Sequence, residues 1–224
     1  MKSFSRIAIA AAALTVASLS QAAALVPSFD NFGANAPSND FASPGMSIST
    51  DNVAMTSYDG GNGALFLSAT PRYSSPALTN DGKGTFHAAT GGNGEGNTFG
   101  RTNLAQWNFD FEINRGETDY TYKLFVDLDA GLGTDLSQYA VFTMDPSASD
   151  SSNLGFFSTL FNPNADGEYG FMLAAFDDAG LQVADVSILV DVGNPTSNVP
   201  EPAGLALVGI ALAGAGFASR RRKA

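Results

Sequence analysis

Residues 104–128 read LAQWNFDFEINRGETDYTYKLFVDL, and their pattern decides the fold class. Trp107, Phe109, Phe111 and Ile113 alternate with Gln106, Asn108, Asp110, Glu112 and Asn114. A period of two marks a strand, because successive side chains leave an extended backbone on opposite faces. The apolar face is expected in a core and the polar face in water. Arg115-Gly116-Glu117 then turns the chain. Tyr120, Tyr122, Leu124, Val126 and Leu128 fall on one face of a second strand. Two alternating strands joined by a short turn predict an antiparallel hairpin, with the Trp107 row packed on the second strand's apolar row.

The pattern extends in both directions. Downstream, strands are expected at 138–144 (QYAVFTM), 154–161 (LGFFSTLF), 169–176 (YGFMLAAF) and 181–192. Turn formers at 162–167 (NPNADG) and 177–180 (DDAG) separate them. Upstream, 46–55 and 64–69 are strand candidates, the second preceded by the turn cluster Asp59-Gly60-Gly61-Asn62-Gly63. Residues 90–98 (TGGNGEGNT) have nothing to bury and read as a flexible loop. No sustained helical period interrupts the series. The expectation is an all-β fold, an antiparallel β-sandwich of jelly-roll or Ig-like type, over residues 25–192. Residues 193–198 form a linker.

The two ends of the chain are of a different kind. Lys2 and Arg6 precede the apolar run 7–19, and small residues follow at Ser20-Gln21-Ala22 and Ala22-Ala23-Ala24. Residues 1–24 therefore read as a secretory signal peptide. At the other end, 203–219 is uncharged and apolar, and Arg220, Arg221, Arg222 and Lys223 follow it closely. As a helix, the run spans about 24 Å at ~1.5 Å per residue, short of a ~30 Å hydrocarbon core, and can cross with local thinning of the bilayer. The basic end would remain in the cytoplasm. Pro200 and Pro202 stop that helix from running back into the domain.

Val-Pro-Glu-Pro at 199–202, the apolar span and the terminal Arg-Arg-Arg-Lys stand in one order at one end. Together they resemble the PEP-CTERM sorting signal of Gram-negative bacteria. The resemblance covers residues 199–224 and rests on Pro200, Glu201 and Pro202 with the basic end Arg220, Arg221, Arg222 and Lys223. It implies an exosortase as partner, transient tethering in the inner membrane, and release to the cell surface or outside. It also implies a setting of exopolysaccharide or biofilm matrix. It carries no information about residues 25–198, because such tails follow unrelated domains.

Composition excludes several chemistries. The chain has 224 residues, no Cys and one His. Thiolate metal sites, Cys nucleophiles and lipid attachment at Cys are thereby removed. Between the terminal segments, five cations (Arg72, Lys83, Arg101, Arg115, Lys123) face 21 acids, a formal charge of −16. Such a surface repels nucleic acid, so no nucleic-acid partner is expected. His87 has no Gly-x-Ser-x-Gly nucleophile elbow to serve. The carboxylate pairs Asp110/Glu112, Asp127/Asp129 and Asp177/Asp178 suit solvated strands and turns as well as a glycosidase site.

Calcium is the one cofactor with a motif behind it. Asn162, Asn164 and Asp166, followed by Gly167, copy the first half of an EF-hand loop. Leu173 stands where the bidentate Glu belongs, so a plain Asn/Asp turn is the competing reading. Asp127, Asp129 and Asp135 make a second oxygen-rich loop. The expected function is that of a non-enzymatic, exported surface or extracellular-matrix structural protein. The alternatives are a carbohydrate-binding module, with Trp107 and some of Tyr58, Tyr73, Tyr120, Tyr122 and Tyr139 stacking on sugars, and a secreted hydrolase.

Overall fold

The computed structural model describes residues 24–33 and 52–193. The signal peptide, most of the 193–198 linker, the sorting tail and the expected span at 203–219 lie outside the described residues. Among the described residues, no helix is long and apolar enough to cross a membrane. The strands in chain order are β1 (Asn31–Phe32), β2 (Ala54–Tyr58), β3 (Gly63–Pro71), β4 (Thr79–Asn80), β5 (Thr85–Ala88) and β6 (Trp107–Asn114). They continue as β7 (Thr121–Val126), β8 (Ala140–Met144), β9 (Ser149–Ser152), β10 (Gly167–Phe176) and β11 (Gln182–Val192). One sheet has the order β1-β2-β3-β6-β9 and the other β4-β5-β11-β10-β7-β8. They pack face to face as the expected sandwich.

The core lies between the two inward rows. Phe109 of β6 stacks on Phe171 of β10 with ring centroids 4.4 Å apart, and Trp107 meets Phe171 edge-on at 6.1 Å. Leu65 and Leu67 on one sheet and Leu124, Val126, Val186, Ile188 and Val190 on the other complete the layer. Burying an aliphatic or aromatic side chain of this size contributes about 1.5–3 kcal/mol, so these rows dominate the stability.

Four expectations change. The predicted hairpin does not form, because β6 and β7 belong to different sheets. Alternation selects a face but not a partner, and residues 115–120 are long enough to change sheet. The crossing is clamped by Asp59, whose carboxylate accepts the N–H groups of Glu117 (2.7 Å) and Thr118 (3.0 Å). Gly116 is needed there, since a β-carbon would run into the Asp59 carboxylate. The sheets are also not purely antiparallel: β5 runs parallel to β11. These two strands are far apart in sequence, so no tight turn sets their relative direction.

The expected strand at 154–161 is replaced by a single helical turn, α1 (Leu154–Phe157). Asn153 causes the change. Its Oδ1 caps the turn by accepting the Gly155 N–H (3.2 Å), and the same atom accepts the Ala105 N–H (2.9 Å). Its Nδ2 donates to the Trp107 carbonyl at 2.7 Å. The strand beside β6 is instead the polar β9, Ser-Asp-Ser-Ser.

The 90–98 segment is not a free loop. Arg72 donates from Nε to the Asn93 carbonyl (3.2 Å) and from Nη2 to the Glu95 carbonyl (3.1 Å). The Asn93 N–H donates to the Leu104 carbonyl at 2.9 Å. Its glycines leave nothing to bury, but its backbone carbonyls find a buried donor.

Candidate functional site

Two loops singled out by their oxygen-rich sequence meet at one end of the sandwich. The segment after β7 (127–139) and the segment before β10 (158–166) flank a cavity of about 470 Å³. Leu128, Phe161 and Tyr169 supply its apolar wall, and Asp129, Gln138 and Asn162 its polar groups. Leu160 stands at its mouth and is exposed.

The carboxylates of this end are turned onto their own backbone. Asp127 Oδ1 accepts the Asp129 N–H (2.9 Å), Asp129 Oδ1 the Gly131 N–H (3.0 Å), and Asp135 Oδ1 the Ser137 N–H (2.6 Å). Glu168 Oε1 accepts the Gly133 N–H at 3.0 Å. Each closes a turn. Asp127 is buried, and burial pushes its carboxyl up to about 6. Burial also raises the Tyr139 hydroxyl, with the charge of neighbouring Asp127 acting in the same direction.

The expected calcium ligands follow the same logic. Asn162 Oδ1 accepts the Asn164 N–H (3.1 Å), and the Asn162 carbonyl accepts the Ala165 N–H (3.1 Å). Asn162 lines the cavity, whereas Asp166 lies against Gly193 at the end of β11. Among the described residues, no group of three or more His, Asp or Glu side chains is arranged to hold a metal ion.

The other candidate acids are dispersed. Asp177 caps the β10–β11 turn through the N–H groups of Ala179 (3.0 Å) and Leu181 (2.8 Å). His87 sits in β5, its Nδ1 3.5 Å from Asp191 of β11. Asp110 departs most from expectation. It is not on a wet face: it is 0% exposed, and burial pushes its carboxyl up to about 7. Neither of its oxygens has a hydrogen-bond partner among the described residues, and neither does the hydroxyl of Thr70 on the adjoining strand. The nearby Ser151 and Thr70 hydroxyls offset only part of the rise.

The aromatic candidates are mostly core. Trp107 is 1% exposed, and Tyr58, Tyr122 and Tyr139 are buried. The Tyr58 and Tyr122 hydroxyls bond to each other across the sheets at 2.8 Å. Tyr120 is half-buried, its ring edge-on to Tyr58. Tyr73 alone of the six rings is exposed. Sequence reasoning passed over Phe99, Phe156 and the two arginines beside them. The only signal was the presence of Arg in an otherwise acidic chain.

The expected sorting residues Pro200, Glu201, Pro202, Arg220, Arg221, Arg222 and Lys223 lie outside the described residues. No curated protein and no solved structure matches the chain. Comparison with known families matches residues 198–223 to the PEP-CTERM protein-sorting motif. The chain thus carries a PEP-CTERM sorting motif at its C-terminal end, which implies export and sorting by an exosortase.

Proposed function

We propose that the chain is a non-enzymatic structural component of the cell envelope or extracellular matrix, delivered as a β-sandwich through the exosortase route. The observation that carries this reading is the sorting motif at 198–223 attached to a sandwich whose carboxylates serve its own turns. A hydrolase needs an acid and a base aimed at a shared substrate site. Asp127 and Asp129 are instead consecutive links in one turn network. Mass spectrometry of the exported protein tests the sorting step. The expected C-terminus lies near Pro200–Pro202, and a mature protein ending in intact Arg220–Lys223 overturns it. Fractionation tests the placement. The protein is expected in the envelope or matrix fraction, and recovery as a freely soluble culture protein counts against it.

The second reading, a carbohydrate-binding module, is favoured by one observation. Tyr73 is exposed, and its ring lies beside the buried Arg72 guanidinium. Burial of Trp107 and three of the tyrosines removes the larger platform that the sequence offered.

A further inference from the structure

Two of the five cations between the terminal segments stand together at one edge of the sandwich. Arg72 immediately follows β3 and is buried. Its guanidinium lies 5.0 Å from the Tyr73 ring centroid and 5.8 Å from that of Phe156. The Arg101 guanidinium lies 5.9 Å from the same Phe156 ring. Phe99 meets Phe156 edge-on at 6.0 Å. The outer members of the group face solvent, Tyr73 at 44% and Phe99 at 76% exposure. Tyr73 has φ +47°, in the left-handed region that favours glycine. The turn that places it is closed by the Ser75 N–H donating to the Arg72 carbonyl at 3.0 Å. A bulky ring is held in a costly backbone conformation and left partly in water.

Neither guanidinium has an ion-pair partner among the described residues, although this part of the chain carries 21 acids. Glu95 is the nearest opportunity. It gives Arg72 its backbone carbonyl, while its carboxylate accepts the Ser74 hydroxyl at 2.6 Å and attracts Arg72 only from a distance. Arg101 donates from Nη1 to the Gly155 carbonyl at 2.9 Å. Carbonyls satisfy donors without neutralising charge. The patch therefore combines exposed aromatic faces with positive charge that the domain itself leaves unmatched.

We propose that this patch docks a carboxylate-bearing sugar, a uronic acid residue of a polysaccharide. The sugar carboxylate would meet the Arg101 N–H groups not used by Gly155, where a planar guanidinium suits a carboxylate. The C–H face of the ring would lie on Phe99, attracted by the negative face of the aromatic system. At about 0.15 M salt the Debye length is about 8 Å, so distant acids do not cancel the local field. A nucleic acid fits less well, because its continuous charge would run on over the acidic remainder of the surface. The inference rests on the carbohydrate-binding reading and is independent of the sorting reading.

The test is retention of the full chain on immobilised polygalacturonate, with neutral dextran, dextran sulfate and single-stranded DNA as comparison surfaces. Polygalacturonate is expected to retain the protein, and the other three to retain it far less. Phe99→Ala and Arg101→Gln are each expected to weaken retention by about tenfold, the scale of one lost stacking contact or charge-assisted hydrogen bond. Leu181→Ala, exposed in the β10–β11 turn and far in sequence from every patch residue, is expected to leave it unchanged. Phe99 is on the surface, so that variant keeps the fold even if Arg101→Gln does not. Equal retention of both patch variants overturns the proposal, as does equal retention on dextran sulfate or DNA. Equal retention on dextran overturns the uronate assignment and leaves the carbohydrate reading standing. No retention on any glycan overturns both.

Discussion

Along β7, burial follows the written pattern: Tyr122, Leu124 and Val126 are buried, Lys123 and Phe125 half-buried, and Thr121 exposed. Along β6 it does not. Trp107, Phe109, Phe111 and Ile113 are buried as expected, but so are Asn108 and Asp110 on the opposite face. Both strands alternate, and both put their apolar row into the same core. They differ in what lies on the other side. β6 is flanked by β3, whose outward Ser68 and Thr70 are themselves buried, and by the serines of β9. The pattern says which residues share a face; it does not say that the polar face is wet.

Removing the shared property should have the largest effect. Phe109→Ala deletes the ring stacked on Phe171 and is expected to cost about 3–5 kcal/mol, read as a drop in denaturation midpoint. Leu124→Ala on β7 should cost about 2–5 kcal/mol, since the inward rows are equivalent in kind. A loss below about 1 kcal/mol at either site would break the picture of one core with two comparable walls.

The outward rows should differ in pH dependence. The Asp110 carboxyl titrates near 7 when folded, against an ordinary value of 3.8. Its folded-state pKa is raised, so the stability tied to its neutral form is complete at low pH and is lost as pH rises towards 7. Asp110→Asn removes the ionisation. Relative to the natural protein, the variant should gain stability between pH 4 and pH 7, up to about 4 kcal/mol, with little further change above that. A flat difference across this range would show that Asp110 is not desolvated in the folded state.

Asn153→Ala probes how β6 meets its polar neighbours. It removes the donor to the Trp107 carbonyl and the acceptor for the Ala105 N–H, both buried. Leaving such groups unpaired costs about 1–3 kcal/mol each, so a loss of about 2–4 kcal/mol is expected. A change within about 0.5 kcal/mol would mean that water replaces the side chain there. The smallest effect belongs to the outward face of β7. Lys123 lies 4.7 Å from the Phe176 ring centroid in a half-exposed position, and Lys123→Ala should cost under about 1 kcal/mol. A larger loss would show that this face is as enclosed as that of β6.

Sequence alone determined the β class, the rows that meet in the core, the turns at 59–63 and 177–180, and the sorting motif at the end of the chain. These are local or periodic properties. A strand's faces follow from backbone geometry, a Gly/Asn turn from allowed dihedral angles, and a sorting motif from residues read in linear order. Only the tertiary structure decided that β6 and β7 lie in opposite sheets, that β5 joins β11 in parallel, and that Ser149–Ser152 forms a strand. It also decided that Asn153 caps a helical turn where a strand was expected at 154–161, and that Asp110 is dry. Each of these depends on a partner distant in sequence, and no short-range pattern records which segment will fill an open edge or cover a polar face. The Arg72–Tyr73–Phe99–Arg101–Phe156 patch belongs to the same group. Its residues come from three separate stretches, and packing, not spacing, brings the rings and charges together.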